Sequence, residues 1–393
     1  MPERLPRALN VVQSLAPENG GTSVSVPALA SATVETGRYR NSLLHFSRSC
    51  DPVVSHSTAL RLLHQPGSSL ELRLRTPARA SLHEAIRDSD VVQIHGLWTG
   101  HCYATLEYAT KLGKPVIVSA HGMLDTWALR HKAWKKAPYS ALIERPNLSR
   151  ATCLRALTRV EVENYRSFGL KAPVAIIPNG VLAPEHVSPA EFFVQYPHLE
   201  GKKIMLFLGR IHKKKGVDLL VKAWSEICAR LPDTHLAIAG PDNGALKSLL
   251  SKDRALAGAG SITVCGMLAG SLKWSALAAC CAFALPSLSE GLSMATLEAL
   301  WLGVPVLTTH ECNFREIEDL ECTFLVRPSV ASIAEGLVAM LSRPAAELRA
   351  RGERGARFVR SNYAWPTVGQ QMADVYDWMR GGPIPRSVEV AIV

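Results

Sequence analysis

The sequence lacks the marks of disulfide-bonded and zinc-binding proteins. Its nine cysteines are scattered and odd in number, and none forms a C-x-x-C pair. A disulfide framework or a zinc site is therefore not expected. Cys265, Cys280 and Cys281 lie in apolar runs and are predicted to be small core residues of a protein from a reducing compartment.

Long hydrophobic runs are also missing. The most apolar window, Trp274 to Pro286, falls short of the ~20 residues that a membrane span needs. Ala8 to Val12 is too short for the core of a signal peptide. We therefore expect a cytoplasmic protein that is either soluble or peripheral at the cytoplasmic face of the inner membrane.

Two common phosphate-binding motifs are absent. The chain has neither the G-x-G-x-x-G fingerprint of dinucleotide-binding folds nor a P-loop. A Gly-Gly pair, Gly20 and Gly21, does lie between a predicted strand and a predicted helix, where glycine lets the backbone approach a ligand. An ordinary turn is the alternative interpretation of this pair.

Length and charge indicate the number of domains and the kind of partner. The 393 residues suit two domains, and the net charge of +10 favours an anionic partner such as nucleotide phosphates, anionic lipid or nucleic acid. No nucleic-acid-binding motif is visible, and nucleic acid is not expected as a partner.

Strand-like and helix-like segments alternate in two successive runs. The pattern predicts an α/β protein with two doubly wound, Rossmann-like domains, residues 1–182 and 183–365. A helix over 366–380, expected to pack back on the first domain, and a loose Gly381-Gly382-Pro383 tail follow. Strands are predicted, among others, at Ala8–Val12, Ala151–Leu154 and Ala282–Leu285. Most candidate motifs directly follow predicted strands, where ligands of such sheets bind.

Glu290 and Glu298 are the most informative pair. Glu290 is expected in a loop after a buried strand, and Glu298 on a helix that starts with Ser293 as N-cap and ends at Gly303. The intervening backbone N–H groups suit a phosphate, and the carboxylates suit paired hydroxyls. A glycosidase-like acid–base couple is the other use of two carboxylates.

A basic turn follows another predicted strand. Arg210 can hold a phosphate bidentately, and Lys215 supplies a point charge near the next helix. A solvated basic loop is the alternative for the Lys-Lys-Lys run. The two-glutamate loop in the same predicted domain favours the phosphate site.

Two histidines, His95 and His121, occupy the carboxyl ends of predicted strands in the first domain. A histidine at such an end can hydrogen-bond a sugar hydroxyl or a leaving phosphate, and a structural role is the alternative. We favour His121 for function.

Aromatic and basic residues alternate between positions 127 and 139. One short helix carrying both suits a membrane interface or an anionic lipid carrier, and packing on its own domain is the alternative. The residues assigned to acceptor or membrane contact are Trp127, Arg130, Lys132, Trp134, Lys135 and Lys136.

Together these motifs resemble the retaining glycosyltransferases of family 4 (group 1), which have the GT-B fold, two Rossmann-like domains facing a cleft. The motifs fall in the family's order along nearly the whole chain: Gly20-Gly21, His121-Gly122, Pro178-Asn179-Gly180, Gly209-Arg210 with Lys215-Gly216, Ala239-Gly240, Glu290 to Glu298 and Gly303-Val304-Pro305. The N-terminal half is similar to members from exopolysaccharide and lipopolysaccharide assembly. The segment His310 to Ile317 departs from the family pattern.

The resemblance implies a role for each site residue. Arg210 and Lys215 would neutralise the leaving pyrophosphate without a metal, and no cofactor is expected. Glu298 would bind the ribose diol, and Glu290 the transferred sugar. The backbone of Gly291, Leu292, Ser293 and Met294 would hold phosphate, and Met267 lies near the expected base position. Gly20 and Gly21 would lie against the donor phosphates, and His121 would contact the sugar.

The implied function is a hexosyltransferase that moves a sugar, with retention, from a nucleotide sugar to a lipid-linked or growing glycan acceptor. Two alternatives stay open: a GT-B sugar-nucleotide epimerase, and a non-catalytic sugar-nucleotide-binding protein. The nucleotide base, the sugar and the acceptor do not follow from the sequence.

Overall fold

The structure is a computed structural model that describes residues 4–16, 21–47, 57–74, 76–125, 129, 133–242, 244, 246, 261–318 and 320–392. The chain forms two compact units. The first unit comprises Met1–Gly180 and Tyr363–Val393, and the second unit comprises Val181–Asn362. The first unit is therefore built from the residues that precede and the residues that follow the second unit in the sequence.

The first unit is built on an eight-stranded sheet. Its spatial order is β14-β7-β6-β5-β4-β1-β2-β3, and every pair is parallel except β14 with β7. The central strands β1, β4, β5 and β6 are almost wholly buried, as expected for a parallel sheet covered on both faces. The strands are β1 Arg7–Val12, β2 Arg40–His45, β3 Arg61–His64, β4 Val91–His95, β5 Val116–Ser119, β6 Cys153–Ala156, β7 Val174–Ile176 and β14 Glu389–Ala391.

Helices connect these strands. The helices of the first unit are α1 Gly21–Glu35, α2 Pro77–Arg87, α3 Gly100–Lys111, α4 Ala133–Tyr139, α5 Arg145–Leu148 and α6 Arg159–Ser167. A π-helix, Ser140–Glu144, separates α4 from α5. Thr76 and Thr158 cap α2 and α6 by accepting hydrogen bonds from backbone N–H groups of their first turns.

The second unit is built on six parallel strands in the order β10-β9-β8-β11-β12-β13. The strands are β8 Lys203–Leu208, β9 Thr234–Ala239, β10 Ile262–Gly266, β11 Ala282–Leu285, β12 Val306–Thr309 and β13 Thr323–Val326. The helices are α7 Ala190–Gln195, α8 Val217–Ile227, α9 Gly270–Ala279, α10 Met294–Trp301, α11 Val330–Leu341 and α12 Ala345–Asn362. The two middle strands, β8 and β11, direct their carboxyl ends to the same edge of the sheet.

Helix α13, Trp365–Met379, lies in the first unit, although it follows the last helix of the second. It packs along α1 so closely that a Cβ on Gly369 would stand 2.4 Å from the carbonyl oxygen of Ala32. Trp365, Met372 and Tyr376 are buried in an apolar cluster with α1 and the sheet. The helix therefore completes one face of the first unit.

The sequence expectations for individual elements were mostly confirmed. Ala282–Leu285 is a strand with the predicted bounds, whereas the strand predicted at Ala151–Leu154 lies at Cys153–Ala156. The expected loose segment, Gly381-Gly382-Pro383, has no helix or strand. The later strand Glu389–Ala391, which pairs antiparallel with β7, was not predicted. The edge strands β2, β3 and β13 were not predicted.

Candidate functional site

Two loops meet at the carboxyl edge of the second sheet. The first follows β8 and contains Arg210 and Lys215, and the second follows β11 and contains Glu290. Because β8 and β11 are paired in parallel, both loops leave the sheet at the same edge. The sequence placed these motifs after separate strands, and the sheet order brings them together.

The Lys215 ammonium is paired with the Glu290 carboxylate. Lys215 Nζ donates to Glu290 Oε1 at 2.5 Å, and the Ser287 hydroxyl donates to the same oxygen at 2.6 Å. Both charged side chains are largely buried, with 19% and 10% of their surface exposed. The second oxygen, Oε2, has no hydrogen-bond partner among the residues that the structure describes. It is therefore available to accept a hydrogen bond from a ligand.

The peptide groups on both sides of the Glu290 side chain are also fixed. Its N–H donates to the carbonyl oxygen of Glu311 at 2.9 Å, and its carbonyl oxygen accepts from Asn313 Nδ2 at 2.5 Å. Asn313 has a φ of +55°, a left-handed conformation that asparagine tolerates better than most residues. The segment after β12, whose sequence departs from the family pattern, thus holds Glu290 in place.

Gly216 lies where the two loops pack against each other. Its φ is +66°, and a Cβ at this position would stand 2.0 Å from the carbonyl oxygen of Pro286. Close by, the N–H of Leu288 donates to the carbonyl oxygen of Lys214 at 2.8 Å. Only glycine allows this approach, which brings Lys215 within reach of Glu290.

Glu298 is paired with a lysine, Lys273, that was not predicted from the sequence. Lys273 Nζ, in the first turns of α9, donates to Glu298 Oε1 at 2.6 Å and lies 4.9 Å from the centre of the Trp274 ring. As in Glu290, one carboxylate oxygen is bonded to a lysine and the other has no partner within the described part of the chain. No local pattern marks Lys273, because the pair joins two helices.

The N-terminus of α10 has the predicted form. Ser293 Oγ accepts from the N–H of Thr296, so Ser293 is the N-cap, and the helix extends over Met294–Trp301. The N–H groups of Gly291, Leu292 and Ser293 have no hydrogen-bond partner among the described residues. These donors lie directly after Glu290, as the sequence predicted.

Arg210 and Met267 lie exposed at the same edge of the sheet. Arg210 follows β8 by two residues, and its side chain has no ion-pair partner within the described ranges. Met267 directly follows β10 and is 70% exposed, which is unusual for a large apolar side chain. Both are accessible to a ligand from solvent.

His121 of the first unit directly follows Ala120, at the carboxyl end of β5. Its φ is +53°, a strained conformation for a non-glycine residue and one that recurs at binding sites. His121 Nε2 lies 3.1 Å from His95 Nδ1, at the end of the neighbouring strand β4. The structure thus brings together the two histidines that the sequence singled out.

Buried side chains support the His121 turn. Glu161 accepts from the N–H of Gly122 at 2.6 Å, and the Tyr165 hydroxyl accepts from the N–H of Ala120 at 3.1 Å. Burial raises the pKa of Glu161 and lowers that of the nearby Arg155 to about 10. Burial also lowers the pKa of His121 to about 3, and the Arg155 charge adds to this effect. The imidazole is therefore neutral at physiological pH.

Some predicted site residues fall outside the described part of the chain. These are Gly20, Trp127, Arg130 and Lys132, and the Lys135 side chain is also not described. Gly21 begins α1. Trp134 is 75% exposed on α4, and Lys136 Nζ lies 5.5 Å from the centre of the Trp98 ring.

The described residues contain neither a metal-binding cluster nor a membrane-spanning helix. No group of three or more His, Cys, Asp or Glu side chains is placed to hold a metal ion. No helix among these residues has the length and apolar character to cross a membrane.

Several curated proteins of known activity have similar sequences. The α-D-kanosaminyltransferase of Streptomyces kanamyceticus is 29% identical over 45% of this chain and 46% of its own length, so the chain spans less than half of that relative. A GDP-mannose-dependent mannosyltransferase acting on a monoacylated phosphatidylinositol monomannoside, from Corynebacterium glutamicum, is 25% identical over 77% of this chain and 81% of its own. The GDP-mannose:cellobiosyl-diphosphopolyprenol α-mannosyltransferase of Xanthomonas campestris is 26% identical over 79% of both chains.

Solved structures show the same fold at low sequence identity. A sucrose-phosphate synthase from Thermosynechococcus elongatus aligns with a TM-score of 0.77 and 17% identity, over 95% of this chain and 99% of its own. Anabaena HepE in complex with UDP-glucose aligns with a TM-score of 0.73 and 15% identity, over 95% and 99% of the two chains. The two parallel-sheet units therefore have the GT-B fold, as the sequence predicted.

Two family models together match most of the chain. The 4-like glycosyl transferase domain matches residues 20–180, and the model of glycosyl transferases group 1 matches residues 189–358. The first match lies within the first unit and contains His95 and His121, and the second lies within the second unit and contains Lys215, Glu290 and Glu298. The chain belongs to the group 1 glycosyltransferases of family 4.

Proposed function

We propose that this chain is a retaining, metal-independent hexosyltransferase that takes a sugar from a nucleotide-sugar donor. The observation that carries the proposal is the matched pair of lysine–glutamate contacts. In each pair, Lys215–Glu290 and Lys273–Glu298, the lysine holds one carboxylate oxygen and leaves the other for a ligand. Two such carboxylates suit the hydroxyls of a ribose and a sugar.

The phosphates of the nucleotide sugar have a matching set of positive charges and hydrogen-bond donors on the protein. Arg210 is exposed, and the N–H groups of Gly291, Leu292 and Ser293 lie beside the α10 N-terminus. Positive charge and helix N-terminal N–H groups both stabilise an anionic leaving group. These residues, with Lys215, would compensate the charge of the departing pyrophosphate without a metal ion or other cofactor.

His121 is assigned to the transferred sugar, and Gly20, Gly21 and Met267 to the donor. Relatives that act on a phosphatidylinositol mannoside and on a diphosphopolyprenol glycan favour a lipid-linked acceptor for this chain. Trp134 and Lys136, with the undescribed residues near them, are the proposed contacts to that acceptor or to an anionic membrane. We place the protein in the cytoplasm, in exopolysaccharide or lipopolysaccharide assembly.

A donor panel tests the reaction. The full chain is incubated with UDP-glucose, UDP-N-acetylglucosamine or GDP-mannose, with and without a diphosphopolyprenol-linked sugar, and products are identified by mass spectrometry and NMR. We expect one donor to stabilise the protein thermally and to give a glycoside with the anomeric configuration of the donor. Conversion of donor alone to another nucleotide sugar would indicate an epimerase. Binding without turnover would indicate a non-catalytic protein, and full activity in Lys215→Ala would refute the site.

A further inference from the structure

Lys273 lies beside the carboxylate assigned to the ribose, and the proposed function gives it no ligand of its own. It belongs, like Glu298, to the second unit and is the fourth residue of α9. A cation so near a helix N-terminus is unfavourable, because that end of the helix carries a partial positive charge. The first turn of α9 contains no acidic residue to offset the charge. Lys273 therefore does not serve the stability of its own helix.

Two neighbouring groups fix the Lys273 ammonium. Its Nζ donates to Glu298 Oε1 at 2.6 Å and lies 4.9 Å from the centre of the Trp274 ring. Trp274 is 6% exposed and the Glu298 side chain 14%, so packing holds both partners. A cation beside an indole ring gains a further attraction. The ammonium is thus held in place before a ligand arrives.

The fixed ammonium retains hydrogen-bond donors. It carries three N–H groups, and one of them is bonded to Glu298. Its Nζ makes no other hydrogen bond to the residues that the structure describes, and a quarter of the side chain is exposed. Within the same part of the chain, Glu298 Oε2 is an acceptor without a partner. The pair therefore presents a donor and an acceptor side by side.

Two adjacent hydroxyls match this arrangement. Each hydroxyl has one proton to donate and two lone pairs that accept. An ionised carboxylate can only accept, so Glu298 alone would bind the hydroxyl protons and leave the lone pairs of both oxygens without a donor. Lys273 supplies that donor, and its charge strengthens the hydrogen bond.

The same segment of chain leads to the expected base position. Met267, which is 70% exposed, lies in the turn between β10 and α9, six residues before Lys273. Base and ribose are directly bonded in a nucleotide. One turn and the start of the helix after it can therefore contact both.

We propose that Lys273 binds the ribose together with Glu298 and makes the site select ribonucleotides over nucleotides that lack both ribose hydroxyls. This role rests on the proposed function, because the ribose belongs to the nucleotide-sugar donor. The contact involves the second unit alone.

Calorimetric titration of the full chain with UDP, GDP and their 2′,3′-dideoxy analogues tests the contact. We expect one of the two ribonucleotides to bind about tenfold or more tighter than its dideoxy analogue. Lys273→Met should weaken binding of that ribonucleotide about tenfold and keep the wild-type affinity for the dideoxy analogue. If the substitution weakens both equally, or neither, Lys273 does not contact the ribose and the proposal is overturned.

Lys222→Met is the matched control. Lys222 is exposed on α8 of the same unit, so its replacement removes one positive charge without touching the pair. Both affinities should stay at wild-type values, and a loss equal to that of Lys273→Met would overturn the proposal by assigning the effect to net charge. If Lys273→Met does not fold, a crystal structure of the wild-type protein with the bound nucleotide decides. A ribose hydroxyl within about 3.2 Å of Nζ would support the contact, and a ribose directed away from Nζ would overturn it.

Turnover separates this proposal from the proposed function. Ribose-selective binding that depends on Lys273, without transfer from UDP-glucose or GDP-mannose, would support the contact and refute the hexosyltransferase. Transfer by Lys273→Met with the wild-type KM for the donor would refute the contact alone. Wild-type protein that binds neither UDP nor GDP would refute both.

Discussion

Lys215 and Glu290 are 75 positions apart in the sequence and form a 2.5 Å ion pair at the edge of the second sheet. The contact exists because Gly216 packs against Pro286 and lets the two loops approach. It leaves one oxygen of Glu290 for a ligand and keeps a positive charge beside it. This pair joins the basic turn to the glutamate loop.

Replacing Lys215 with alanine should lower kcat at least about 100-fold, because one preorganised charge at a leaving group contributes about that much. The loss also leaves Glu290 buried without its cation, and the free energy of unfolding should fall by about 3–5 kcal/mol. Steady-state transfer and urea unfolding measure the two effects. Lys213→Ala, an exposed neighbour in the same basic run, is the control and should keep both near wild-type values.

Replacing Glu298 with glutamine should weaken nucleotide binding about tenfold or more, since a hydrogen bond to a charged group contributes about 1.5–3 kcal/mol. Calorimetric titration with UDP and GDP measures the change. The exposed Glu353→Gln, on α12, controls for the loss of one negative charge. Equal affinity in Glu298→Gln and wild type would exclude Glu298 from the nucleotide site.

Gly216→Ala should be more destabilising than Gly201→Ala. Both glycines have left-handed φ angles, +66° and +80°, so each substitution costs about 1–2 kcal/mol in backbone strain. Only at Gly216 would the new Cβ collide with a backbone atom, the oxygen of Pro286 at 2.0 Å, whereas Gly201 has open space. Thermal unfolding of the two variants gives the difference, and equal Tm values would contradict the packing described for the two loops.

Acid should destabilise the first unit through its buried histidines. Burial lowers the pKa of His101 to about 4, below the ordinary value near 6.5, so the unfolded state binds its proton first. Stability is then present above about pH 6.5 and is lost as pH falls towards 4. At pH 5 this histidine alone accounts for about 2 kcal/mol.

Denaturant unfolding between pH 7.5 and 5 measures this loss. His101→Gln should show a shallower pH dependence than wild type, whatever its stability at pH 7.5. Replacement of the exposed His186 with glutamine is the control and should keep the wild-type slope. If the stability of His101→Gln falls with pH as steeply as that of the wild type, the loss of stability in acid is not due to His101.

Local patterns predicted part of the site from the sequence. The strand at Ala282–Leu285, the N-cap at Ser293 and the N–H groups after Glu290 depend on neighbours within a few positions. Turn, cap and strand preferences therefore suffice to predict them. The family's motifs added the pairing of the basic turn with the glutamates.

Other parts depend on contacts that no local pattern records. Lys273 meets Glu298 across two helices, and Asn313 reaches Glu290 from the next strand's loop. Strand β3 was missed because its exposed edge lacks the apolar run of a central strand. The strand Glu389–Ala391 owes its form to β7, more than 200 residues earlier, and not to its own composition.

The division of the chain affects the order in which a ribosome can complete the two units. The second unit is one continuous segment, Val181–Asn362, and all of its residues are available once that segment has emerged. The first unit begins earlier, but its helix α13 is synthesised only after the second unit. Until α13 has emerged, Leu29, Val91 and Ile117 of the apolar cluster that it covers remain exposed. The half that is synthesised first is therefore finished last, and its exposed face is the one for a chaperone to protect during translation.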